Sequence, residues 1–183
     1  MPDDSKVSLI RILMANSYPT HIPASQIAVK QLNSSVPVTV EKDFLQAAQL
    51  RFRCSHPYIN SFLGIVLGSP MMMVCELANR GNFKRYIQEN AQGITLRHQI
   101  TWMKQIVKAM AYLETLSIVH RDLATRNIVL SSLGHVQIIH FSLACTLEPK
   151  TDHYIAKKHG KWPIKWLALE CLLLGRFSFK VWS

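Results

Sequence analysis

Polar side chains crowd one octapeptide of this chain, His120-Arg121-Asp122-Leu123-Ala124-Thr125-Arg126-Asn127. Asp122 and Asn127 stand five positions apart, and eighteen residues after Asp122 comes His140-Phe141-Ser142. The octapeptide follows the clearest helical pattern in the chain, from about Thr95 to Leu116. Two short apolar runs come after it, Ile128-Val129-Leu130 and Val136-Gln137-Ile138-Ile139, and they read as strands around Gly134. A fold that carries this sequence must hold a charged loop between a long helix and a strand pair.

In that helix Leu96, Ile100, Met103, Val107 and Met110 recur on one stripe, and Ile106, Ala109 and Leu113 widen it. So wide an apolar face predicts a helix buried in a helical layer. Earlier, Ile27-Ala28-Val29-Lys30 reads as a strand ending on a lysine, and residues 41–53 as a helix stopping before His56-Pro57. Ile59 to Leu67 and Met71 to Leu77 read as a strand pair around Gly68-Ser69-Pro70, followed by a short helical stretch from Asn82 to Glu89. Residues 1–26 are weakly patterned, with Pro19 and Pro23 interrupting any strand. Strands first and helices later is an α+β pattern with two lobes.

Composition narrows the function classes. The 183 residues include 21 basic and 11 acidic side chains, for a net charge of +10, yet no basic run exceeds two residues. Nucleic-acid binders cluster such charge, so the scattering argues against nucleic acid and for acidic peptides, phosphates or anionic surfaces. Residues 54–75 contain no Asp, Glu, Lys or Arg, but Pro57, Pro70 and Gly68-Ser69 divide them into short strands and no transmembrane segment is expected. Cys54, Cys75, Cys145 and Cys171 form no C-x-x-C pair, and three sit in apolar surroundings, as buried thiols in a reducing compartment do. With early acids at the amino terminus and no signal-peptide architecture, the expected location is cytoplasmic.

His120 to Asn127 resembles the catalytic loop of protein kinases, and its Ala-x-Arg ending is the tyrosine-kinase version. Lys161-Trp162-Pro163-Ile164-Lys165-Trp166, followed by Ala168-Leu169-Glu170, carries the same likeness. With His159-Gly160, His56-Pro57-Tyr58-Ile59 and Ala111-Tyr112-Leu113-Glu114, the chain most resembles the cytoplasmic spleen tyrosine kinase (Syk) group, from about Ile27 to Ser183. The resemblance implies an α+β, two-lobed kinase-like fold. Its small lobe would span residues 1–78, and residues 79–183 would form a large lobe incomplete at the carboxyl end. The implied reaction is transfer of the ATP γ-phosphoryl group to protein tyrosine, with Mg²⁺.

By the same resemblance Asp122 is the catalytic base, Asn127 a metal ligand, and Arg126 the residue that places the substrate phenol. Lys30 is the strand lysine that meets the α- and β-phosphates, Cys75 the gatekeeper, and Glu76, Leu77 and Ala78 the hinge that bonds adenine. His120 packs in the spine, and Arg121 meets a phosphotyrosine of the activation segment. Tyr154 is the phosphorylation candidate, because the first of the group's tandem tyrosines is His153 here.

The departures from the family pattern are specific. No glycine precedes Gly64, so the loop that covers the phosphates by close backbone approach is absent. Ala47 stands where a helix glutamate pairs with the lysine, and Arg51, one turn later, where an apolar spine residue belongs. His140 replaces the metal-binding Asp, Ser142 the hinging Gly, and Lys180 an Asp that supports the catalytic loop. Imidazole suits zinc or copper better than Mg²⁺, which wants oxygen. The expectation is a degenerate kinase domain, impaired or inactive, with weak or lost ATP and Mg²⁺ binding. Its partners would be a tyrosine-containing substrate or signalling protein, and chaperones. An active non-receptor tyrosine kinase and the non-functional product of a partial gene are the alternatives. The latter expects Phe177, Phe179, Val181, Trp182 and Glu170 to lack their packing or ionic partners.

Overall fold

In a computed structural model, residues 7–8, 27–33, 36–156 and 162–179 are described. A short strand β1 (Val7–Ser8) pairs with β2 (Ile27–Gln31), which pairs in turn with β4 (Met72–Glu76), and β4 with β3 (Phe62–Val66). All these pairings are antiparallel. In β2 the period-two alternation buries Ile27 and Val29 and turns Ala28 and Lys30 to the other side, with Lys30 opposite Met73. The expected strand from Ile59 begins three residues late. Ile59 instead bridges Ile138 in parallel, and the Asn60 amide donates to the Ile138 carbonyl at 3.0 Å.

Helix α1 (Val38–Phe52) lies against β3 and buries Phe44, Ala47, Ala48, Leu50 and Arg51. A short helix α2 (Phe83–Glu89) starts at Asn82, whose side-chain oxygen accepts the Arg85 amide. The long helix α3 (Leu96–Thr115) is capped by Thr95, whose hydroxyl accepts the His98 amide while His98 Nδ1 accepts the Thr95 amide. Then come β5 (Ile118–Val119), the hairpin β6 (Ile128–Ser132) and β7 (His135–Ile138), and β8 (Cys145–Thr146) paired with β5. Strand β9 (His153–Ile155) pairs with β10 (Arg176–Ser178) around α4 (Leu169–Leu174). Gly175 closes α4 in the left-handed region at φ 62°, and a Cβ there would sit 3.4 Å from the Trp162 ring.

One core runs through both halves, joining Phe44, Ala48, Leu50 and Met73 to Ala109, Leu113, Ile118, Ile138 and Phe141. Burial of α3 departs from the sequence expectation. Trp102, Gln105, Ala109 and Leu113 are its buried face, whereas Leu96, Ile100, Met103 and Val107 are exposed, Val107 by 66%. Hydrogen bonding to the hairpin selects the covered face. Trp102 Nε1 donates to the Leu133 carbonyl at 2.9 Å, Gln105 Nε2 donates to Gly134, and Gln105 Oε1 accepts the Val136 amide. A buried glutamine with both ends satisfied is tolerated where an unpaired one is not.

The expectation for Phe177 is also corrected. Its ring is 4% exposed, packed edge-on to Trp162 at 5.2 Å, and half-buried Phe179 joins the same cluster. Glu170 is exposed, while Lys180, Val181 and Trp182 lie outside the described residues.

An exposed apolar stripe three turns long promotes association. The 183-residue chain is therefore expected to self-associate, and Val107→Glu to shift it toward monomer at little cost in stability. Size exclusion with light scattering checks this. A monomer whose mass is independent of concentration and unchanged by the substitution contradicts it.

Candidate active site

The octapeptide turns between β5 and β6 as an irregular loop ending in a single 3₁₀ turn, Thr125–Asn127. Its geometry begins with His120, fully buried, whose ring packs edge-on to Phe141 at 5.0 Å. Nε2 lies 3.0 Å from the Ile139 carbonyl, which can only accept, and Nδ1 lies 3.3 Å from the Asp122 amide, which can only donate. These two partners require the neutral ring with its proton on Nε2. Burial holds the ring's pKa down to about 4.

Asp122 is buried, and both carboxylate oxygens are engaged. Arg126 donates to Oδ1, and Asn127 Nδ2 donates to Oδ2 at 2.6 Å and to the Asp122 carbonyl at 2.8 Å. Burial raises the carboxyl pKa from its ordinary value, more than Arg126 and Asn127 lower it. Arg126 in turn lies over the ring of Trp166, 5.8 Å from its centroid, and its carbonyl accepts Asn82 Nδ2 at 2.7 Å. Thus α2 and the Ile164–Trp166 turn both brace the loop. The three sequence-predicted residues, Asp122, Arg126 and Asn127, form one hydrogen-bonded unit.

His140 follows immediately, because the Ile139 amide donates to the Asn127 carbonyl at 2.9 Å. His140 adopts φ 68°, a left-handed conformation uncommon for a residue with a Cβ. Phe141 behind it is 2% exposed, and Ser142 Oγ accepts a hydrogen bond from Lys30 Nζ at 3.3 Å. Lys30 on β2 therefore reaches the segment that adjoins Asn127, so the strand lysine and the loop share one site. Ala47 is 3% exposed and has no group to offer the lysine.

The expected hinge begins on Glu76, the last residue of β4. The Glu76 amide donates to the Ser61 carbonyl and the Glu76 carbonyl accepts Asn60 Nδ2, both at 3.0 Å, while its carboxylate accepts Ser61 Oγ. Leu77 is half-buried, and the buried Ala78 passes its carbonyl to the Gly81 amide. Much of this backbone is committed within the protein. Cys75, one residue earlier, is buried with its thiol pKa raised by that burial, which leaves it unreactive.

Arg51 is the strongest anomaly near the site. It is 8% exposed, donates to the Asn60 carbonyl at 3.0 Å and to Asn60 Oδ1 at 3.1 Å, and leaves Nε buried without a partner. Its guanidinium lies 5.7 Å from the Phe62 ring centroid and 5.9 Å from that of Phe141. Burial lowers its pKa. Sequence alone marks Arg51 as misplaced, but nothing in it points to Asn60, which is 5% exposed and also donates to Gln137 Oε1.

Tyr154, the phosphorylation candidate, is part of a strand pair. It lies in β9, opposite Phe177, half-buried, with Arg121 4.7 Å above its ring centroid. Arg121 also donates to the Leu143 carbonyl, at a backbone φ of 63°. The arginine expected to meet a phosphate thus stacks on the unmodified ring, a cation–π contact of about 1 kcal/mol.

The donor set does not fit Mg²⁺. Of the two expected ligands, His140 offers nitrogen, and Asn127, whose Nδ2 is given to Asp122, is left to supply the one oxygen, Oδ1. Among the described residues no three His, Cys, Asp or Glu side chains converge in a way that would hold a metal ion.

A lysine-bearing strand in a small antiparallel sheet, set against a loop that presents Asp, Arg and Asn, defines a kinase-type domain. Residues 11–183 match the family described as protein tyrosine and serine/threonine kinase, and the chain belongs to it, with a partial form of that fold. It is 40% identical over 159 residues to the tyrosine-protein kinase HTK16 of Hydra vulgaris, covering 86% of this chain and 21% of that protein. It is 36% identical over 159 residues to the receptor tyrosine-protein kinase erbB-4 of Homo sapiens, at 86% of this chain and 12% of that one. Against the tyrosine-protein kinase SYK of Gallus gallus, identity is 36% over 163 residues, 87% of this chain and 26% of that one. The chain therefore spans about a quarter or less of these relatives. No helix among the described residues is long and apolar enough to cross a membrane.

Proposed function

We propose that this is a tyrosine-kinase-type domain whose phosphoryl transfer is strongly impaired, and that it acts through protein contacts, with weak, metal-free nucleotide binding. In this reading residues 1–78 form the small lobe and 79–183 the large one. Lys30 meets phosphate oxygens, Glu76, Leu77 and Ala78 meet the base, and Asp122, Arg126 and Asn127 face the acceptor hydroxyl. The observation that carries the reading is His140, two residues past β7 and next to Ile139, whose amide bonds the Asn127 carbonyl; in the family a magnesium-binding carboxylate belongs there. A metal ion supplies several kcal/mol of charge stabilisation to such a reaction, and each lost preorganised group costs on the order of a hundred- to thousandfold in rate. Ala47 in place of the lysine's carboxylate is a second such loss.

The intact Asp122–Arg126–Asn127 unit favours a second reading, an active non-receptor tyrosine kinase. One assay separates the two. Purified chain with radiolabelled ATP, Mg²⁺ and a Glu-Tyr copolymer is expected to transfer no more label than Asp122→Asn. Transfer clearly above that control establishes the active enzyme and defeats the impaired one. In thermal-shift titration, ATP with EDTA is expected to stabilise the chain at least as well as ATP with Mg²⁺; Mg²⁺-dependent stabilisation at micromolar ATP contradicts this.

Tyr154 belongs to the reading as a phosphate acceptor that is reached only when β9 separates from β10. A cytoplasmic location is supported by four free cysteines, three of them buried, as in a reducing compartment. A signalling protein is the proposed partner, and chaperones follow from the exposed apolar stripe of α3.

A further inference from the structure

We infer that Ser142 is a positioning residue for Lys30, taking over from its hydroxyl the role that a helix carboxylate fills elsewhere in the family. The inference rests on the nucleotide reading above and names the group that aims its lysine. Lys30 Nζ and Ser142 Oγ are 3.3 Å apart although 112 positions separate them in sequence. The serine is held from behind. Phe141 is 2% exposed, its ring edge-on to His120 at 5.0 Å and 5.9 Å beneath the Arg51 guanidinium. His140 before it is set in the left-handed region at φ 68°. The packing of Phe141 thus fixes the residue next to Ser142 in the core.

The helix side of the site makes the substitution intelligible. Ala47 ends at Cβ and is buried in the core, so α1 presents the lysine with no acceptor at that position. A glycine at position 142 would have none either. A hydroxyl both accepts and donates, so Ser142 can receive one Lys30 N–H and still offer its own proton to a phosphate oxygen. The ligand class is a nucleoside polyphosphate bound without metal, its anionic oxygens meeting one ammonium and one hydroxyl. Preorganising a flexible lysine removes part of the ordering cost that binding otherwise carries.

The test uses the full chain in EDTA with N-methylanthraniloyl-ATP as the fluorescent probe. Ser142→Ala is expected to weaken binding about fivefold, the equivalent of one ordinary hydrogen bond, and Ser142→Thr to restore it. In a Lys30→Met background Ser142→Ala is expected to change nothing, because the lysine it aims is gone. Wild-type affinity in Ser142→Ala, or losses that multiply in the double variant, overturns the inference. A second readout needs no nucleotide: the rate at which acetic anhydride modifies Lys30, followed by mass spectrometry against an exposed lysine such as Lys84. Ser142→Ala is expected to change the Lys30 rate severalfold and leave Lys84 alone; an unchanged Lys30 rate also overturns the inference. If the wild-type chain binds no probe while Lys30 modification still depends on Ser142, the nucleotide reading fails and the pairing stands.

Discussion

Acid is expected to begin destabilising this domain before its carboxylates titrate, because the buried His120 resists taking up a proton in place. Its folded pKa is held at about 4 against an ordinary 6.5. Between those values the unfolded chain binds a proton that the native ring refuses, so stability falls as pH drops from about 6.5 to 4. Above about 6.5 both states are neutral and His120 contributes no pH dependence. The full loss is on the order of 3 kcal/mol, a large part of the 5–15 kcal/mol available to a domain. The cause is geometric as well as dielectric, since a proton added to Nδ1 would face the Asp122 amide hydrogen. Urea midpoints measured from pH 7.5 to 4.5 are expected to fall more steeply for the wild type than for His120→Asn. Should that variant fail to fold, an NMR titration of the wild-type ring decides the matter. A His120 pKa near 6.5 would falsify the prediction.

The other large effect concerns Arg51. Truncation to alanine removes the bonds to Asn60 and both ring contacts and leaves a cavity, so Arg51→Ala is expected to destabilise by about 3 kcal/mol. Arg51→Met keeps much of the volume while removing a buried cation with an unsatisfied Nε. Buried charges replaced by apolar side chains of similar size often leave a protein as stable or more so. Arg51→Met is therefore expected to match or exceed the wild type in denaturant midpoint. Methionine as costly as alanine would show instead that the guanidinium contacts outweigh its desolvation.

How much of this could be seen beforehand depends on the range of the interaction. The bounds of α3 were legible because Thr95 is a local capping residue and the apolar period is local. Which face of α3 is covered was not, because periodicity groups Leu96, Ile100, Met103 and Val107 without saying what they meet. The hairpin bonds of Trp102 and Gln105 decided that. At the site, Asp122, Arg126 and Asn127 lie within one short loop, and their unit follows from spacing. Ser142 on Lys30, Trp166 under Arg126 and Tyr154 under Arg121 join distant segments, and no local pattern encodes them. Ala47 and Arg51 fall between these cases: register marked both as misfits, but only packing showed that Arg51 has a cradle.

Asn60 has a mechanical consequence. A single residue gives its amide to β7, its side chain to the end of β4 and to Gln137, and its oxygens to Arg51 of α1. Any rocking of the four-stranded sheet over α3 and β7 must bend about that point or break it. Local fluctuations therefore leave the Asn60 amide closed, and its deuterium uptake should occur only when the whole domain opens.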